Sequence, residues 1–185
     1  MPDTSAATLM TAEDLLKLPD DGRRYELVRG KLIRMSPSGS RSSIVSGRIS
    51  NRVGPFVEQH RLGFCGDSDW GFILASNPDV VRAPDVGFVR ADRIPPEGIP
   101  EGFWPGAPDL AVDVLSSSDR FSDVLEKVQE YLAAGTRLIW VVDPDARRAT
   151  VFRPAPAPVT VGADSELSGE DVLPGFVLKL AEVWV

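Results

Sequence analysis

Apolar positions change period several times along the chain, and the changes mark out its elements. Leu110 to Leu115 is a short apolar run broken only by Asp113, the pattern of a strand buried on both faces. Phe121, Val124, Leu125, Val128 and Leu132 then recur at spacings of three and four, a helical stripe. Asp123, with Glu126 three residues on, predicts a capping box, and Gly135 a stop. Leu138 to Val142 is a second buried strand, closed by Asp143-Pro144. Strand, helix and strand in that order predict a parallel pair with a crossover helix. An unpaired carboxylate on a buried strand is costly, so Asp113 needs a partner. Lys127 and Tyr131, four apart along the edge of the stripe, place an ammonium where it could reach over the sheet toward that acid.

The rest of the chain reads in the same way. Met10 to Leu18 predicts a short helix capped by Thr11. Tyr25 to Val28 and Lys31 to Met35 predict a hairpin across Arg29-Gly30, with Glu26 inside its first strand. Ile44, Val45, Ile49, Val53, Phe56 and Val57 mark a helix from Arg41 to His60. Gly63 to Leu74 predicts one strand with Trp70 and Phe72 on the same side. Val80 to Val89 predicts another, in which Pro84 interrupts the ladder and argues for an edge or a bulge just before Asp85. The Pro- and Gly-rich stretch from Arg93 to Pro108 is long for a connector and could serve as a lid. Ala149 to Arg153 pairs back on Leu138 to Val142, and the tail ends in the apolar run Phe176 to Leu180.

Composition bounds what this pattern can be. A chain of 185 residues that is 43% hydrophobic and 25% charged suits a single domain over 1–185, with residues 1–9 flexible. No apolar run approaches the roughly 20 residues that span a bilayer, and no secretory leader pattern opens the chain, so we expect a cytoplasmic protein with no membrane partner. A lone Cys65 excludes an internal disulfide, and a lone His60 excludes histidine-rich metal sites. The net charge of −7 opposes sequence-independent coating of DNA, so any nucleic-acid contact must be local. Arg41, Arg48 and Arg52, along the second helix, are candidate phosphate contacts.

Glu26, Asp85, Asp113 and Lys127 form the candidate constellation, three carboxylates on neighbouring strands and one lysine on the helix that follows. Hard divalent cations prefer such oxygen ligands, and Mg²⁺ is usually held by one or two carboxylates with waters and substrate phosphate. A lysine beside a metal-bound water could position it or take its proton while charge grows on phosphate. That chemistry is phosphodiester hydrolysis. The bland alternative is acids at strand ends and a lysine that snorkels to solvent.

These residues resemble the Uma2 family, labelled restriction endonucleases, within the PD-(D/E)XK nuclease superfamily. The resemblance rests on Tyr25 to Pro37 (YELVRGKLIRMSP), Arg82 to Val89 (RAPDVGFV), Gly106 to Gly135 and Ile139 to Pro144 (IWVVDP), in the family's order and over nearly the whole chain. It implies an α/β restriction-endonuclease-like fold, a mixed β-sheet flanked by helices. It also implies a Mg²⁺- or Mn²⁺-dependent endonuclease acting on DNA. Asp85 and Asp113 would ligate the metal, with the carbonyl of Val114 as a further ligand. Lys127 would orient the water, and Glu26 would support that ion or a second one. Tyr131 could donate its hydroxyl beside the ligands, or else pack its ring with the hydroxyl in water. The superfamily's lysine usually sits two residues after the second acid, where this chain has Leu115; the family takes it from the next helix. The family usually has Glu where this chain has Asp113, and often a histidine where it has Ser42 and Ser43. Cutting both strands generally calls for two sites, so we expect a homodimer, paired through an exposed sheet edge or the apolar stretch Val172 to Val185. The alternative is a catalytically silent nuclease fold that binds nucleic acid or a partner protein.

Overall fold

The computed structural model describes residues 9–117 and 119–185. The expected flexible start falls outside them except for Leu9, which lies against Gly30 where a Cβ would come within 2.7 Å of its own. α1 (Ala12–Leu16) begins at Thr11, whose hydroxyl accepts from the Asp14 N–H while the Asp14 carboxylate accepts from the Thr11 N–H. β1 (Tyr25–Val28) and β2 (Lys31–Arg34) form the predicted hairpin. Arg29 and Gly30 take φ of 50° and 74°, as a two-residue turn of matching twist requires. α2 (Ser40–Gln59) then buries the predicted stripe of Val45, Ile49, Val53 and Val57.

Two expected strands prove to be four. Gly63 to Leu74 divides into β3 (Gly63–Asp67) and β4 (Phe72–Ala75), and Val80 to Val89 into β5 (Val80–Arg82) and β6 (Val86–Arg90). In each case the two halves join different sheets. A turn closed by the Trp70 N–H on the Asp67 carbonyl at 3.1 Å makes the first crossing. Pro84, with no N–H to continue a ladder, makes the second. Neither β5 nor β6 is an edge strand. The stretch expected as a lid is anchored: β7 (Trp104–Pro105) pairs parallel to β4, and Trp104 is buried.

β8 (Leu110–Val114), α3 (Phe121–Ala133) and β9 (Leu138–Asp143) form the predicted unit, with the strands parallel from Leu110 opposite Leu138 to Val114 opposite Val142. α3 starts earlier than expected. Arg120 is its N-cap, no side chain caps it, and Asp119 instead accepts the Ser116 N–H at 2.7 Å in the preceding turn. β10 (Arg148–Phe152) pairs back on β9, followed by β11 (Val159–Val161) and the pair β12 (Glu166–Ser168) and β13 (Val177–Lys179).

The main sheet has six strands in the order β11-β10-β9-β8-β6-β3. Alternation along β8 sorts its residues between two cores: Leu110, Val112 and Val114 meet the stripe of α2, whereas Ala111 faces Val128 and Tyr131 of α3. The second sheet, β2-β1-β5-β4-β7, packs on the face that carries α3. Gly87 makes that approach feasible, since a Cβ there would stand 3.0 Å from the Phe72 ring. The result is the expected α/β fold, mixed sheets flanked by helices on both faces.

The tail does not serve as expected. Val172, Leu173, Phe176, Leu178, Leu180, Val183 and Trp184 belong to this chain's own core, which leaves Val177, Ala181 and Val185 as the exposed apolar residues of that stretch. Leu178 is 1% exposed and its neighbour Val177 53%. Leu178→Ala should therefore cost about 2–5 kcal/mol in urea unfolding, and Val177→Ala no more than about 0.5 kcal/mol. Equal small effects would show that the tail packs loosely.

Candidate active site

Asp113 lies on the α3 face of β8, and the helix supplies its partner. Lys127 Nζ stands 2.8 Å from Asp113 Oδ1 and 3.3 Å from Glu26 Oε1, and it donates to the Ala83 carbonyl at 3.0 Å. Glu26, buried on β1, also accepts from Arg82 Nη1 at 2.9 Å and from the Ala83 N–H at 3.0 Å. Arg82 in turn donates to Glu130 at 2.6 Å. Charges of alternating sign thus run from Asp113 through Lys127, Glu26 and Arg82 to Glu130.

Asp85 is placed by the proline before it. Val86 pairs with Val112 in the antiparallel ladder, so the next pair on that side would be Pro84 with Val114. The Val114 N–H goes instead to Asp85 Oδ2 at 2.7 Å. The Val114 carbonyl points the same way and meets a residue with no N–H to give. Asp85, Asp113 and Val114 all border one cavity of about 520 Å³, together with Glu26 and Lys127.

Burial governs the protonation of these groups. It pushes the Asp113 carboxyl up to about 6, with Asp85 adding repulsion and Lys127 pulling the other way. It raises Asp85 as well, against the hydrogen bond from Val114 and the charge of Lys127. Burial would lower Lys127, but Asp113 and Glu26 outweigh it and hold the ammonium well above its ordinary range. Glu26 is pushed up by burial and drawn down further by Lys127 and Arg82, so it stays ionised. Among the described residues, no set of three or more His, Cys, Asp or Glu side chains could enclose a cation. Two carboxylates and a carbonyl suit Mg²⁺, which keeps most of its waters, rather than an all-protein cage.

The other expected site residues fall as follows. Tyr131 is fully buried; its hydroxyl is not in water and has no protein hydrogen-bond partner among the described residues, while Lys127 Nζ stands 5.8 Å from its ring centre. Arg41, Arg48 and Arg52 do not border the cavity. Their helix covers the opposite face of the main sheet, where Arg41 pairs with Asp145 at 2.5 Å, Arg48 donates to the Trp184 carbonyl and Arg52 pairs with Glu182 at 3.2 Å. Ser42 is buried and donates to the Gly39 carbonyl at 3.0 Å, and Ser36 and Ser38 border the cavity in its stead. Sequence reasoning missed the cavity's arginines, Arg23, Arg24, Arg34, Arg82 and Arg120. Arg82 had a signal, a charge beside the apolar pair Val80-Val81 that needs a buried partner as Asp113 does.

Against known proteins, the model of the family Uma2, described as "Putative restriction endonuclease", matches residues 12–181. No curated protein matches the chain. Among solved structures it is similar to a crystal structure described as a "putative nuclease belonging to DUF820" from Anabaena variabilis. The TM-score is 0.83 at 21% identity, over 95% of this chain and 97% of that one, a likeness of fold.

The Asp113 carboxyl should titrate near 6 by NMR in metal-free protein, and lower in Asp85→Asn, where the repulsion is gone. Its folded value lies above the unfolded one of about 3.9. Its contribution to stability is therefore present at low pH and lost as pH rises through about 6. Wild type should accordingly lose stability relative to Asp113→Asn over that interval. A difference independent of pH, or an Asp113 that titrates as an exposed acid, would contradict the buried placement.

Proposed function

The chain belongs to the Uma2 family, and on that footing we propose a divalent-metal-dependent endonuclease of the PD-(D/E)XK superfamily that hydrolyses DNA phosphodiester bonds. One observation carries the reading. Two largely buried aspartates border the same cavity as Val114, whose ladder partner position is held by Pro84, with a charged lysine 2.8 Å from Asp113. Asp85, Asp113 and the Val114 carbonyl hold Mg²⁺ or Mn²⁺. When bound, that ion supplies a low-pKa water and neutralises charge on the phosphate.

The chain's own residues do the rest. Asp85 is aimed by the Val114 N–H, so its carboxylate meets the cavity in one orientation. Lys127 keeps its proton, because Asp113 and Glu26 hold its ammonium above the ordinary range. A general base needs a pKa near the working pH, so Lys127 orients the attacking water and stabilises anionic charge rather than accepting the proton. Glu26 has both oxygens engaged, by Lys127 and Ala83 on one and by Arg82 on the other. It therefore positions the lysine rather than ligating an ion. Tyr131 supports the ammonium with its ring.

The catalytically silent reading has one observation in its favour: Lys127 is already bound to both Asp113 and Glu26, a closed network that suits a stable fold as well as a catalyst. Cleavage separates the two. With Mg²⁺ or Mn²⁺, wild type should open supercoiled plasmid and cut circular single-stranded DNA. Asp113→Asn should abolish this, and Lys127→Met should lower the rate by roughly 10²-fold or more. Wild-type protein that cuts neither substrate, or Lys127→Met that cuts as well as wild type, would overturn the reading.

A further inference from the structure

We propose that the cavity takes an unpaired strand of DNA, its phosphates held by Arg24, Arg34 and Arg120, and not an intact duplex. The inference rests on the nuclease reading for the place of the scissile phosphate, and goes beyond it in naming the form of the substrate.

Charge is the first ground. In a chain of net charge −7, many cations are matched to acids, as in Arg29 with Glu126 at 3.1 Å, Arg93 with Asp109 at 2.9 Å and Arg148 with Asp143 at 3.3 Å, while Lys31, Arg61, Arg147 and Lys179, which form no ion pair among the described residues, lie away from the cavity. Arg24, Arg34 and Arg120 border the cavity and form no ion pair among the described residues. Arg24 stands near enough to Asp85 to draw that acid's pKa down. Lys127 and Arg82 border the same cavity, but Asp113, Glu26 and Glu130 already neutralise them. Three available guanidiniums serve two or three consecutive phosphates. Proteins that hold a duplex commonly make roughly 6–10 such contacts across a broad basic face. The α2 arginines that could have built such a face are bound to the tail and to Asp145 on the other side of the sheet.

Depth is the second ground. The side chains of Asp113 and Lys127 are 14% and 15% exposed, so a phosphate must enter the cavity to reach them. A volume of about 520 Å³ lies in the small-ligand range. It has room for a nucleotide or two and none for paired strands. Tyr25 and Phe103 also border it and are only partly buried. Aromatic faces beside a phosphate track are the means by which proteins hold single strands without reading their sequence.

The test is anisotropy of a labelled single-stranded oligodeoxynucleotide and of the same sequence as a blunt duplex, with Ca²⁺ in place of Mg²⁺ so that neither is consumed. The single strand should bind roughly tenfold or more tightly than the duplex. Arg34→Gln and Arg120→Gln, both at exposed positions, should each weaken its binding and flatten the salt dependence by about 0.7 in the log–log slope. Arg41→Gln, on α2, should change neither. Equal or tighter binding of the blunt duplex, a salt slope unmoved by both cavity variants, or no binding of the single strand would overturn the proposal. A strand bound through Arg34 and Arg120 yet left uncut with Mg²⁺ would sustain it while removing hydrolysis from the function proposed above.

Discussion

Asp113 can be buried only because Lys127 reaches it across the face of the sheet. A carboxylate on a strand between two cores would otherwise have to take up a proton or cost several kcal/mol. That one contact fixes the rotation of α3 over β8 and β9. Lys127 must point to the strand while Val128 and Tyr131 pack beside it on Ala111 and Ile139. The same ammonium is held from the other side by Glu26, so it also ties the hairpin sheet to the main sheet. Breaking one link of a buried chain of charges leaves the next uncompensated, which is why Glu26, Arg82 and Glu130 belong to the same construction.

The arrangement that stabilises the fold also sets out its chemistry. Pro84 carries the chain from one sheet to the other and leaves Val114 without a ladder donor. Asp85, the next residue, turns back to take the free N–H. Both aspartates face a cavity that Asp20, Asp69, Asp119 and Asp123 border as well, and so do Arg24, Arg34 and Arg120.

Much of this was legible in the chain. A single charge inside an apolar run announced Asp113, the change of period announced α3, and Arg29-Gly30 announced the hairpin. Asp113 also called for a partner, and the spacing from Lys127 to Tyr131 supplied one. What could not be read was which sheet a strand joins, because alternation is the same in either. β3 and β4 were therefore fused, as were β5 and β6 across Pro84. The tail's apolar residues looked available for a partner because nothing in their pattern tells an internal core from an external one. Arg48 and Arg52 read as phosphate contacts for a similar reason: a helix's polar edge does not reveal that a carbonyl-rich tail will lie against it. Arg82 was overlooked although the argument applied to Asp113 holds equally for a guanidinium beside buried Val80 and Val81.

The central claim is that Asp85 and Asp113 form one cation site whose occupancy does not depend on Lys127. Titration of the protein with Mn²⁺, followed by the loss of the free ion's paramagnetic resonance signal, tests it without reference to any substrate. A single class of site is expected, one that weakens in both Asp85→Asn and Asp113→Asn and persists in Lys127→Met. Binding unchanged in both aspartate variants would contradict it.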